Sequence, residues 1–188
     1  MKLHIRKFQP KDAKALQKIG VRNFDEKLSV EAGGYLLPSV RKKWAYFFET
    51  TTLCAFSKNN RLLVAVDEMK RVVGSVSYIK KEGRNYELIY FFVDPNYHGN
   101  GVGRALMLRA LSDLRKKGVG LVTLYSILSA GRFYEHLGFS HVPELDHFRK
   151  EEVDREAAKR FAIETLPRSV GYRNHYFFYR LIDPEERQ

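Results

Sequence analysis

Residues 93 to 103 constrain this chain more tightly than any other stretch: Val93-Asp94-Pro95-Asn96-Tyr97-His98-Gly99-Asn100-Gly101-Val102-Gly103. A run of strand formers, Tyr86-Glu87-Leu88-Ile89-Tyr90-Phe91-Phe92, precedes them, and an amphipathic helical pattern from Arg104 to Lys117 follows. A strand that leaves through a Pro turn into a glycine-rich loop and then a helix presents several backbone N–H groups unobstructed by Cβ atoms. Those groups sit beside the positive end of a helix dipole. Such a loop is a cradle for a pyrophosphate.

Three cradles compete. A Walker A loop ends in Gly-Lys-Ser/Thr, whereas Gly103 is followed by Arg104-Ala105. A dinucleotide fingerprint needs G-x-G-x-x-G, and although Gly99 and Gly101 fit, the third position is Arg104. The third is the acyl-CoA loop of the GNAT superfamily of N-acetyltransferases, with the pattern Gln/Arg-x-x-Gly-x-Gly/Ala. Residues 98 to 103, His98-Gly99-Asn100-Gly101-Val102-Gly103, resemble it closely, after a Val-x-Pro turn and before Leu106. His98 stands where that family usually has Gln or Arg.

A second segment is similar to the same family. Residues 126 to 139, Ser126-Ile127-Leu128-Ser129-Ala130-Gly131-Arg132-Phe133-Tyr134-Glu135-His136-Leu137-Gly138-Phe139, look like its later motif, a short helix with Ala-x-x-Phe-Tyr-Glu ending at Leu-Gly-Phe. Gly138 suits a helix C-cap and Phe139 the start of a strand. Ile127 replaces a frequent Asn, a hydrogen-bonding role that Ser126 or Ser129 could fill. The resemblance covers about residues 60 to 144, and the flanks by element order alone.

The resemblance implies an α/β chain of the α+β type, a GNAT fold. Its mixed, mostly antiparallel sheet of six to seven strands has helices on both faces and splays between strands 4 and 5. The acyl donor implied is acetyl-CoA, entering the splay. Its pantetheine arm would lie along Tyr86 to Val93, where a bulge frees an N–H at about Phe91 or Phe92 to polarise the acyl carbonyl. Coenzyme contacts then fall on Phe91, Phe92, Val93, His98, Gly99, Asn100, Gly101, Val102, Gly103, Arg104, Ser129 and Phe133. Tyr134 matches the tyrosine that protonates or hydrogen-bonds the departing sulfur, a role suited to a phenol because no charge is desolvated. Glu87 lies where many members carry a proton-accepting carboxylate, and reads equally as an exposed carboxylate on an alternating strand. For His98, pyrophosphate contact or loop packing both outrank a general base.

At 188 residues and 44% hydrophobic, the chain fits one ordinary domain over 1 to 188, with a frayed tail at 183 to 188. No apolar run suits a membrane span or a signal peptide, which makes a cytoplasmic protein the expectation. The single Cys54 reads as a core thiol. His136, His141 and His147 lack metal-site spacing, so no metal is expected. The net charge of +11 exceeds what a coenzyme needs and admits an acidic partner or nucleic acid, or merely a basic soluble surface. A monomer or a homodimer is expected.

The element order is strand 3 to 8, helix 10 to 28, helix 39 to 49, and strands 61 to 67, 72 to 80 and 86 to 93. After the loop come the helix to Lys117, strand 121 to 125, the Tyr134 helix, strand 139 to 143, helix 149 to 166 and strand 172 to 182. In the resembled family the acceptor site would be built from Phe24 to Glu49, rich in aromatics including Trp44, Phe47 and Phe48, and from Glu144 to Gly171. Those aromatics fit an amine pocket or a core. The leading expectation is an N-acetyltransferase acting on a small-molecule, peptide or protein amine. Alternatives are acetylation of an RNA-linked amine, a non-catalytic acyl-CoA-binding module, and a basic nucleic-acid-binding domain.

Overall fold

The computed structural model describes residues 1–23, 61–126, 128–145 and 176–182. The expected helices over 39 to 49 and 149 to 166, the end of the first helix beyond residue 23, Cys54, His147 and both acceptor-side stretches lie outside the described residues. Within them run β1 (His4–Lys7), α1 (Ala13–Asn23), β2 (Arg61–Val66), β3 (Val72–Lys80), β4 (Asn85–Val93), α2 (Val102–Arg115), β5 (Leu121–Ser126), α3 (Gly131–Glu135), β6 (Ser140–His141) and β7 (Tyr176–Leu181). The strands form one seven-stranded sheet in the order β1-β2-β3-β4-β5-β7-β6. β1–β2, β2–β3, β5–β7 and β6–β7 are antiparallel, while β4 and β5 run parallel with Leu88 opposite Leu124. This is the mixed, mostly antiparallel sheet that the sequence implied.

By internal contacts the chain divides into two compact units, 1–79 with 89–113, and 80–88 with 114–188. In the first, Ala13, Leu16 and Ile19 recur at helical spacing on α1 and pack with Phe8, Leu62, Val64 and Val66. Tyr90 and Phe92, same-face residues of β4, close against this cluster. Leu63 and Ala65, on the other face of β2, are as deeply buried. That is why this strand reads as a continuous apolar run. An Arg6–Asp12 ion pair at 2.7 and 2.8 Å holds the turn into α1, with Asp12 also accepting from the Gln9 N–H at 2.8 Å.

On α2, Val102, Leu106, Met107, Ala110, Leu111 and Leu114 are buried at a helical period. The first turn of α2 comes close to β3 at one point. A Cβ on Gly74 would meet the Phe92 carbonyl oxygen at 2.8 Å and Leu106 Cδ1 at 3.1 Å. Because one obstacle is backbone, Gly74→Ala is expected to destabilise by about 1–3 kcal/mol, the range for overpacking a well-filled core. Thermal unfolding would register it as a lower Tm, and an unchanged Tm would show that β4 gives way freely there.

In the second unit, Val142, Leu145 and Phe177 form a small core with Tyr125 and Tyr179. β6 is shorter than expected, covering only Ser140–His141, and the start of the expected last strand, 172 to 175, lies outside the described residues. Pro143 explains the short β6, since it lacks an N–H for the ladder and opens a short 3-10 turn instead.

Candidate active site

The loop after β4 is tied down at several points. The Asp94 N–H donates to the Val73 carbonyl at 2.9 Å, and Asp94 Oδ1 accepts from the Asn96 N–H at 3.1 Å. Tyr97 donates its hydroxyl to Asp67 Oδ2 at 2.9 Å, and that carboxylate also pairs with Arg71 at 2.7 Å. Burial would raise the Asp67 carboxyl, but the bonds from Arg71 and Tyr97 outweigh it and hold the group below its ordinary value.

Gly99 and Gly101 adopt φ of 76° and 75°, left-handed conformations in which a Cβ is strained. The Ala105 N–H bonds the Gly101 carbonyl at 3.0 Å, so Gly101 caps α2. The N–H groups of Val102, Gly103 and Arg104 precede that first intrahelical bond, at the positive end of the helix dipole. His98, Gly99, Asn100, Gly101 and Arg104 are exposed and Gly103 is half-buried. Val102 is a core side chain, so only its backbone is available to a ligand. The exposed His98 also reaches back to the strand, its Nε2 3.1 Å from the Val93 carbonyl oxygen. A carbonyl can only accept, so Nε2 carries the proton and His98 closes the loop on itself.

On β4, Tyr90 adopts φ of 50°, which among non-glycine described residues only Lys70 parallels. A left-handed residue inside a strand is a local irregularity, and it falls immediately before Phe91. The Tyr90 carbonyl accepts from Ser75 Oγ at 3.1 Å. Phe91 and Phe92 are half-buried and Val93 is buried.

The remaining site residues lie in the second unit. Tyr134 is only 6% exposed, with ring centroids 5.2 Å from Phe133, 6.0 Å from Phe139 and 5.6 Å from Phe178. Burial pushes its phenol well above the ordinary 10.0, partly offset by a hydrogen bond with the Ser126 side chain. It is therefore a neutral proton carrier at any physiological pH. Phe133 is half-buried against it and Ser129 is exposed. Glu87 is half-buried and ion-paired, its Oε2 3.0 Å from Lys81 Nζ. Among the described residues no group of three or more His, Cys, Asp or Glu side chains could hold a metal, and no helix is long and apolar enough to cross a membrane.

Two phenols set an alkaline limit, Tyr134 buried and Tyr90 half-buried. Burial raises Tyr90 to about 12, and Tyr134 moves in the same direction. Both are neutral in the fold, so the stability they confer is intact below the unfolded value of 10.0 and is lost as pH rises through the folded values. A Tm profile is expected to hold to about pH 9.5 and then fall, with Tyr90→Phe blunting the fall. An identical profile in the variant would locate the alkaline loss elsewhere.

Sequence reasoning did not single out Asn23, Arg22, Asp67, Arg71 or Tyr97 as supports of the loop. Asn23 and Arg22 lie about seventy residues from it in sequence, and no local pattern announces such a contact.

The sequence model of the acetyltransferase (GNAT) domain matches residues 58–141. A histone acetyltransferase, TAP1, of Glycine max is 32% identical over 78 residues, 42% of this chain and 34% of that protein. Serotonin N-acetyltransferase 2, chloroplastic, of Oryza sativa subsp. japonica is 44% identical over 52 residues, 28% of this chain and 26% of that protein. The chain thus spans about a third or less of the length of these relatives. The PaiA N-acetyltransferase of Thermoplasma acidophilum, solved in complex with coenzyme A, shares the fold with a TM-score of 0.68 at 16% identity, over 96% of this chain and 99% of that one. The matched segment contains both the glycine loop and the Tyr134 helix, so residues 58–141 of this chain carry the similarity to the GNAT acetyltransferase domain.

Proposed function

We propose that this protein is an N-acetyltransferase that moves the acetyl group of acetyl-CoA to a primary amine of a small molecule, peptide or protein. The observation that carries the reading is the loop, in which two left-handed glycines open α2 and leave three backbone N–H groups at its start. Those groups and Arg104 would bind the pyrophosphate of coenzyme A. The Phe91 N–H, following the left-handed Tyr90, would donate to the thioester oxygen as it becomes an oxyanion.

The neutral amine attacks the thioester carbonyl carbon, the C–N bond forms and the C–S bond breaks. Tyr134 supplies the proton to the departing thiolate, and its raised pKa keeps that proton in place until the sulfur needs it. The proton lost by the amine passes to Glu87 or water, with Lys81 compensating the carboxylate between turnovers.

A second reading, a non-catalytic acyl-CoA-binding module, draws support from the burial of Tyr134 among Phe133, Phe139 and Phe178. Calorimetric titration with acetyl-CoA, with NADH and ATP as controls, tests the shared part. Release of free coenzyme A over a panel of amines separates the two. Selective binding with turnover on any amine supports the enzyme, and binding with no turnover across the panel supports the module. No binding by folded, coenzyme-free protein overturns both.

A further inference from the structure

We propose that Asn23, on α1, is a positioning residue that sets the affinity of the loop for its coenzyme. The inference rests on the reading that this loop binds coenzyme A. The Val93 carbonyl is the last of β4, where the chain leaves the sheet for the loop. It accepts from Asn23 Nδ2 at 2.8 Å and from His98 Nε2 at 3.1 Å, one donor from a helix distant in sequence and one from the loop itself. Asn23 Nδ2 donates again to the Ile19 carbonyl at 2.9 Å, in its own helix. An amide nitrogen has two hydrogens, and both are thus committed.

The neighbouring residues repeat the link. Arg22 Nη1 lies 3.1 Å from Asp94 Oδ2, while the other oxygen of Asp94 caps the Asn96 N–H at 3.1 Å. Two consecutive residues of α1 therefore hold Val93 and Asp94, where β4 runs into the loop.

The bracket matters because of what it holds. A loop with two left-handed glycines is conformationally loose, and ordering it on the ligand costs affinity unless it is ordered beforehand. Fixing the Val93 carbonyl from two sides supplies that preorganisation. It also gives His98 a purpose in place of the usual Gln or Arg, as an anchor of the loop. Nothing in the bracket takes part in the chemical step, so its loss falls on coenzyme binding.

The test is titration of wild type, Asn23→Ala and Asn23→Asp with coenzyme A, alongside Tm, acetyl-CoA kinetics and backbone amide NMR of the free proteins. Asn23→Ala is expected to weaken coenzyme binding about tenfold, the scale of one lost hydrogen bond. Asn23→Asp should weaken it further, since a carboxylate would face two carbonyl oxygens. The KM for acetyl-CoA should rise with kcat at saturation nearly unchanged, and amide signals of residues 94 to 103 should shift while those of β1 and β2 stay.

Unchanged affinity, or affinity, kcat and Tm falling together, overturns the proposal. If wild type binds no coenzyme A, the reading of the loop fails instead, and the amide shifts alone decide the bracket: shifts confined to the loop uphold it, and none overturns it.

Discussion

Gly103→Glu is expected to abolish coenzyme binding while leaving the fold as stable as before or slightly more so. Gly103 is the second residue of α2, and its N–H is one of the three at the open end of the helix. A carboxylate there faces a bound pyrophosphate. One unit charge about 4 Å from another at an effective dielectric near 20 is worth about 4 kcal/mol, about a thousandfold in affinity. In the free protein the sign reverses. The first turn of α2 has no acidic residue, so a Glu complements the dipole by about 0.3–1 kcal/mol and replaces a poor helix former. Calorimetry and a melting curve read the two effects separately. Full affinity would sink the loop assignment, and a collapsed Tm would mean that Gly103 is needed for folding.

Tyr134→Phe is expected to lower kcat by roughly 10- to 10³-fold with coenzyme affinity retained, on the scale of lost general acid catalysis. The three ring contacts of Tyr134 survive the change because the ring stays. What disappears is the hydroxyl and its bond with Ser126, costing about 1 kcal/mol of stability. Because that phenol titrates far above neutrality, no alkaline limb near pH 8 should be traceable to it. A variant turning over at full rate would reduce Tyr134 to a packing residue, as its burial alone would suggest.

Much of this architecture was legible in the sequence because it is local. Strands β2 to β5 and α2 follow from apolar periodicity and from glycine and proline punctuation, and each lies within a residue or two of its expected bounds. The loop was readable for the same reason, since Gly99 and Gly101 advertise their backbone conformation. Tyr90 was not. A tyrosine among strand formers gives no sign of a left-handed φ. The role of His98 was open between phosphate contact and packing, and its bond to Val93 depends on how the loop folds back. Asn23 was invisible for a deeper reason. Its bond to Val93 joins residues 70 apart, and only the completed packing of α1 beside β4 brings them together.

The strand order β5-β7-β6 carries a consequence for how the protein is made. β7 is the last of the described strands, yet it pairs with β5 on one side and β6 on the other. When β6 leaves the ribosome, the strand it will pair with does not yet exist, and the edge of β5 stays open until Tyr176–Leu181 arrives. Such late, long-range pairing is slow and leaves an unpaired edge available to other chains. A nascent chain stalled before Tyr176 would therefore expose that edge together with the rings of Tyr125 and Tyr134, which Phe177 and Phe178 cover in the finished sheet. The opposite end of the described sheet differs, because β1 can pair as soon as β2 and β3 have formed.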